Sequence, residues 1–202
     1  MLQTQTVVPQ LMELLNKIMA EKSFSGFNLV GGTALALQIG HRNSIDIDLF
    51  GTQEIDLDLF LELLNNLGET KISKSSKNIL IADVAGIKID FVNYKYPLLE
   101  KIIEMEGIRM VSKQDIAAMK LNAIAGRGSK KDFIDLYFLL QVFSLKEIVD
   151  FYIQKYFDGS EFMVLKSLTY FEDADGQPSP QMFLDFDWEK CKKTILEEVK
   201  RL

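Results

Sequence analysis

Apolar residues recur along this chain with two periods, and the switch between them marks out its elements. In residues 9–19, Leu11, Leu14, Leu15 and Ile18 follow helical spacing, with Pro9 suited to a first-turn position, and predict a packing helix. Phe27, Leu29 and Val30 then lead into Gly31-Gly32-Thr33 and the helix-compatible run 34–39, which Gly40 closes. That reads as strand, glycine turn, helix. Residues 44–50, SIDIDLF, alternate strictly: Ile45, Ile47 and Leu49 fall on one face of a predicted strand, Asp46 and Asp48 on the other. Phe60, Leu63, Leu64 and Leu67 predict the next helix, ended by Gly68, and 79–84 and 86–92 predict two short strands. Residues 24–92 are α/β in pattern.

After Pro97 the character changes. Segments 114–125, 130–143 and 145–156 are helix-like, and Ser112/Asp115 and Ser129/Asp132 have capping-box spacing. Residues 172–180, with two prolines, read as a loop before a last helix over 187–200. A soft boundary near residue 112 separates an α/β core, 1–112, from a helical region, 113–202.

Composition narrows the chemistry. With 202 residues, 48% of them hydrophobic, the chain buries a real core. Its formal net charge of −6 argues against a generally basic nucleic-acid binder, so any RNA contact needs a local patch. One cysteine, Cys191, makes no internal disulfide, and with the lone His41 it falls short of an ordinary zinc site. Both fit a reducing cytoplasm and a metal bound by oxygen. Neither a signal-peptide pattern nor an apolar run near 18 residues is present, which predicts a cytoplasmic protein without a membrane span.

The acids supply the candidate site. Asp46 and Asp48, two apart on a strand, point the same way. Two unpaired carboxylates on one buried face would lose several kcal/mol of solvation each, so a cation is their natural partner; a solvated edge strand is the plainer alternative. Asp90 in GIKIDFV alternates with Ile89 and Phe91 and would join them from a neighbouring strand, or stand exposed. The echo IDLDLF places Asp56 and Asp58 at the same spacing, but directly before a helical run, where Asp favours the cap and the dipole. Gly31-Gly32-Thr33 lets backbone approach a phosphate and aims helix-start amides at it, with the Thr33 hydroxyl as a further donor. Arg42 is placed to pair with a triphosphate or with the acids, while His41 reads equally as part of a polar loop. In the helical half, Lys120 either projects over a cleft or snorkels from an apolar helix. Asp132 reads as a capping acid; Asp135, a turn further in, is free to pair with Lys120, Lys131 or a substrate amine.

Taken together, GGTALALQIGHRNSIDIDLF, KIDFV and DIAAMKLNAIAGRGSKKDFIDLYFLL resemble the AbiEii/AbiGii nucleotidyltransferase toxin family of the DNA polymerase β-like superfamily, over residues 29 to about 140. The resemblance implies an α+β fold, a mixed sheet flanked by helices with a helical C-terminal part closing the cleft. It gives Asp46 and Asp48 the metal-ligand role for Mg²⁺ or Mn²⁺, with Asp90 in the position of the superfamily's third acid. Gly31, Gly32 and Thr33 become the phosphate loop, and Lys120 and Asp135 gain nucleotide-contacting or catalytic roles. It further implies NTP as substrate, RNA such as a tRNA end as acceptor, and a protein antitoxin as partner. A small-molecule acceptor and a non-catalytic binding module of the same fold stand as alternatives.

Overall fold

The structure is a computed structural model that describes all 202 residues. The chain divides into two compact units, Met1–Lys95 with Ile102–Val111, and Tyr96–Lys101 with Ser112–Leu202. The division cuts differently from a single boundary near residue 112, because residues 96–101 belong with the helices before the chain returns to the sheet.

The first unit contains α1 (Pro9–Ala20), β1 (Phe27–Leu29), α2 (Gly31–Ile39), β2 (Ile47–Gly51), α3 (Leu57–Leu67), β3 (Thr70–Ser76), β4 (Ile79–Val84), β5 (Ile87–Asn93), β6 (Ile103–Met105) and β7 (Ile108–Met110). The strands form one sheet in the order β3-β4-β5-β2-β1-β7-β6. β2 runs parallel to β5 and β1 parallel to β7, while the other neighbours are antiparallel, so the sheet is mixed. The alternation read in the sequence decides which face is buried: Ile47, Leu49, Ile89 and Phe91 are fully buried, and Asp48 and Asp90 lie on the opposite face. Phe24, Phe27, Phe60 and Phe91 fill the core with ring centroids 4.8 to 5.8 Å apart, mostly edge to face.

β2 starts later than the alternation predicts. Residues 44–46 precede it, and Ile45, expected on the buried face, is 53% exposed. The cause is local bonding: Ser44 N–H donates to the Thr6 carbonyl at 2.8 Å, which holds this segment away from the sheet ladder. The edge strand β3 carries no alternation that announces it, and β6 and β7 are three residues each, too short for their alternation to stand out.

The second unit contains α4 (Lys113–Gly126), α5 (Lys130–Leu139), α6 (Leu145–Lys155), α7 (Glu161–Ser167), α8 (Glu172–Asp175) and α9 (Trp188–Lys200). Here α4 packs on α5, α6 and α7, and α5 packs on α9. Helix starts follow their caps: Ser112 accepts from Asp115 N–H at 3.0 Å, Ser144 and Glu147 bond reciprocally, and Asp187 accepts from Lys190 N–H at 2.7 Å. The stretch expected to be loop at 172–180 opens with a single helical turn, α8. No helix is long and apolar enough to cross a membrane.

Candidate active site

The Gly-Gly-Thr segment and the acids form one piece of the sheet unit. α2 begins at Gly31, whose φ of +68° is a left-handed conformation that glycine adopts without strain. A Cβ there would come within 2.8 Å of Asp48 Oδ2, so the carboxylate lies directly against the glycine at the amino end of α2. Val30, the residue before the helix, donates its N–H to the Asp48 carbonyl at 2.9 Å, and its apolar side chain offers α2 no cap. Thr33 is 1% exposed; its hydroxyl donates to the Asp46 carbonyl and lies 2.7 Å from Ser44 Oγ. That hydroxyl therefore fixes the backbone that carries the acids, a different use from the outward donation expected of it. Gly32 sits in the first turn of α2. Arg42, 2% exposed, donates through Nη1 to the Asn43 carbonyl at 2.8 Å, and His41 is fully buried.

Asp90 joins from the adjacent strand. The parallel register of β2 and β5 sets Asp48 opposite Asp90, with both side chains on the same face. Lys88, two residues before Asp90 and on that face, donates from its ammonium to Asp90 Oδ2 at 2.7 Å. Burial works against the Lys88 ammonium, but the hydrogen bond to Asp90 and the charges of Asp90, Asp48 and Asp46 outweigh it and hold its pKa above the ordinary lysine value. Asp90 Oδ1 is buried with no hydrogen-bond partner. Lys88 was the residue to find: its spacing from Asp90 places both on one face, yet only the β2–β5 register reveals that the face also carries Asp48.

No three His, Cys, Asp or Glu side chains converge into a cluster that would enclose a metal ion unaided. The donor set still fits Mg²⁺, which is commonly held by one or two carboxylates with substrate phosphates and water completing the shell. The carboxylates of Asp46, Asp48 and Asp90 are hard oxygen donors, and the orphaned Asp90 Oδ1 is an acceptor without a donor. Cys191 adds nothing to such a site: it is fully buried, its thiol donates to the Phe133 carbonyl at 3.7 Å, and burial pushes its pKa up to about 12.

The remaining candidates lie in the helical unit. Lys120 is 5% exposed, and its ammonium bonds Asp132 Oδ1 at 2.9 Å and Asp135 Oδ2 at 2.6 Å. Both acids are fully buried. The pairing of Lys120 with Asp135 is one of those read as open to it in the sequence, whereas Asp132, expected to cap the helix, instead accepts from side chains alone. Arg127 Nε and Nη2 donate to Asp132 at 2.8 and 3.1 Å, and Ser129 Oγ donates to it at 2.7 Å. Ser129, at the helix start, makes no side-chain bond to the α5 backbone. Burial alone would raise the Asp132 pKa, but Lys120, Arg127 and Ser129 together lower it to about 2.

Residues 13–200 match the family described as the nucleotidyl transferase AbiEii toxin of the type IV toxin-antitoxin system. The chain belongs to the AbiEii nucleotidyltransferase toxin family. This AbiEii nucleotidyltransferase is 38% identical over 196 residues to an uncharacterized protein of Aquifex aeolicus (strain VF5), covering 93% of each chain. Among solved structures it resembles the nucleotidyltransferase toxin MenT4 from Mycobacterium tuberculosis H37Rv, with 14% identity, a TM-score of 0.64, and coverage of 96% of this chain and 83% of that one. It also resembles a nucleotidyltransferase described as putative from Helicobacter pylori, with 16% identity, a TM-score of 0.57, and coverage of 95% and 91%. The antibiotic-resistance factor ANT(2'')-Ia shares the fold over 71% of this chain and 89% of that one, with 15% identity and a TM-score of 0.54. These likenesses carry the fold of the AbiEii nucleotidyltransferase, and family membership carries its enzyme class.

Proposed function

We propose that this nucleotidyltransferase moves NMP from an NTP to an RNA acceptor, such as a tRNA end, and acts as a toxin that a protein antitoxin neutralises. The observation that carries the reading is the contact of Asp48 with Gly31, which puts a carboxylate and the start of α2 at one point. A nucleotide needs both there: amides for its phosphates and an anionic anchor for the cation that accompanies them. Bound Mg²⁺ would polarise the α-phosphoryl group and offset charge on the leaving pyrophosphate. Asp46 and Asp48 are its ligands in this reading, with Asp90 as the third oxygen donor. Gly31 and Gly32 present their backbone to the phosphates, and Thr33 keeps Asp46 in place from behind. Lys120 and Asp135 are assigned to the nucleotide on the family motif, and Arg42 to the triphosphate or the acids on its place between α2 and the acid strand. The acceptor oxygen forms the new bond to the α-phosphorus, the bond to the β-phosphate oxygen breaks, pyrophosphate departs, and the acceptor proton passes to solvent.

α-Labelled NTPs incubated with total RNA test this directly. Label entering RNA and disappearing in Asp48→Ala supports the reading; equal label transfer in Asp48→Ala overturns it. The net charge of −6 favours a second acceptor class, a small hydroxylated molecule. Label found on such a compound and never on RNA selects that class.

A further inference from the structure

We propose that the open β3 edge of the sheet holds the RNA acceptor, its backbone phosphates bound by Lys71 and Lys74. The inference rests on the reading that the acceptor is RNA and names the surface of this chain that holds it. Residues 70–78, TKISKSSKN, carry three lysines and no acid in a chain of net charge −6. Lysines on an open strand also keep other strands off, but that use asks for no particular face. Here the face is chosen. Lys71 and Lys74 are three apart, so regular alternation would turn them to opposite sides of the sheet. A shift of register between Ile72 and Lys74 leaves Ser73 as an extra residue, so that Lys71 pairs with Asp83 and Lys74 with Ile81. Asp83 and Ile81 are two apart on β4, which brings both lysines to one face. It is the acid face: Ile81 stands opposite Asp90, and Asp90 opposite Asp48. One row thus runs Lys74, Ile81, Asp90, Asp48, with the backbone at Lys74 about 10 Å from that at Asp90, two strand spacings. Half-buried Ile81 gives a base an apolar surface between the lysine and the acids. Asp83, across from Lys71, is engaged in the β4–β5 turn, where its Oδ1 accepts from Gly86 N–H at 2.9 Å. β3 is exposed from Lys71 to Ser76, and the pairs Lys71–Glu69 at 3.0 Å and Lys77–Glu54 at 3.8 Å join exposed side chains, contacts of little strength that a phosphate can displace.

Binding of a short fluorescein-labelled single-stranded RNA of mixed sequence, followed by fluorescence anisotropy without NTP and over a range of salt, separates this role from catalysis. Lys71→Ala/Lys74→Ala should bind it roughly tenfold more weakly, with a log–log salt slope shallower by about 1.4, the value for two lost phosphate contacts on a single strand. In NMP transfer its KM for RNA should rise more than its kcat falls. Lys71→Arg/Lys74→Arg, which keeps both charges, should stay close to wild type. Lys74→Ala/Ile72→Lys restores the charge on the opposite face of β3 and should bind no better than Lys74→Ala. Recovery there would show that charge acts without regard to face, and would overturn the proposal. If wild type binds and labels RNA, and Lys71→Ala/Lys74→Ala matches it in affinity and salt slope, the role of the edge is overturned while the RNA reading stands. Wild type that binds poly-glutamate and not the RNA assigns the edge to an acidic protein segment and overturns the proposal equally. If wild type neither binds nor labels RNA, the RNA reading itself has failed, and the role of the edge fails with it.

Discussion

The sheet unit and the helical unit handle their carboxylates in opposite ways. On the sheet, Asp48 and Asp90 stand in register on one face with Lys88 bonded to Asp90, and one carboxylate oxygen is buried with no donor at all. In the helices, Asp132 accepts from Lys120, Arg127 and Ser129, and Asp115 accepts from Lys155 Nζ at 2.8 Å, from Ser112 Oγ, and from the N–H groups of Leu99 and Glu100. A buried acid ringed by donors is already satisfied and works as structure. A buried carboxylate oxygen with no donor, such as Asp90 Oδ1, is incomplete by itself and fits a cation from outside. The same residue type thus marks binding in one place and architecture in the other, and the surrounding donors tell which.

Removing acids from each region breaks the comparison in different observables. The largest effect is expected for Asp48→Ala: loss of a ligand to the cation should lower NMP transfer on the order of 10³-fold. Because Asp48 lies on the half-exposed face of β2, its thermal midpoint should move little. A large drop in stability with transfer intact would place Asp48 among the architectural acids instead.

Next comes Lys155→Met. Lys155 is 1% exposed and Asp115 fully buried, and Lys155 also donates to the Pro97 carbonyl at 2.6 Å. Stranding the Asp115 charge should cost about 3–5 kcal/mol, read by chemical denaturation. Replacing Asp115 as well, in a Lys155→Met/Asp115→Asn double variant, should recover part of that loss, since the buried charge is then gone. Additive losses would mean the two side chains are not coupled.

A smaller effect separates the regions by pH. Asp132 has its pKa lowered from 3.8 to about 2, because Lys120, Arg127 and Ser129 outweigh its burial. A depressed carboxylate pKa contributes stability that is fully present above the unfolded value and lost as pH falls toward the folded one. The contribution should be about 2 kcal/mol at neutral pH, and should fade between pH 4 and about pH 2. Wild type and Asp132→Asn should therefore converge in stability over that interval on acid titration. A gap that stays constant below pH 4 would show that the charge of Asp132 is not what the network uses.

How far these regions could be read in advance follows from what each depends on. The helices α1, α2 and α3, the strands β4 and β5, and the caps at Ser112 and Asp187 rest on local periodicity and short-range hydrogen bonds, which a sequence carries. β3 escaped because TKISKSS is an exposed edge strand with no buried face to impose alternation. β6 and β7 are three residues each, joined across Glu106 and Gly107, both with positive φ, as two-residue hairpins require. In the site, Asp48 and Asp90 were each visible, but their adjacency is a fact of strand order, with β5 paired to β2 across α3, β3 and β4. The role of Asp132 was hidden for a similar reason. Its first-turn position suggests a cap, and only the packing of α4 on α5 brings Lys120 to it.

The smallest expected effect tests whether spacing alone carries meaning. IDIDLF and IDLDLF present two acid pairs of identical spacing, yet Asp56 is the N-cap of α3 and accepts from Leu59 N–H at 3.1 Å, with Asp58 in the first helical turn. Asp56→Ala should therefore lower stability by about 1 kcal/mol, the ordinary value of a lost cap, and leave both NMP transfer and Mn²⁺ binding at wild-type levels. Asp56→Ser should restore the stability, because a serine hydroxyl accepts the same helix N–H without carrying charge. A wild-type response in Asp56→Ala together with the loss in Asp48→Ala would locate the chemistry in the glycine that Asp48 touches and the strand that Asp90 brings beside it. A drop in metal binding in Asp56→Ala would instead mean that the second acid pair belongs to the same electrostatic field, and that the line between binding and architecture runs elsewhere.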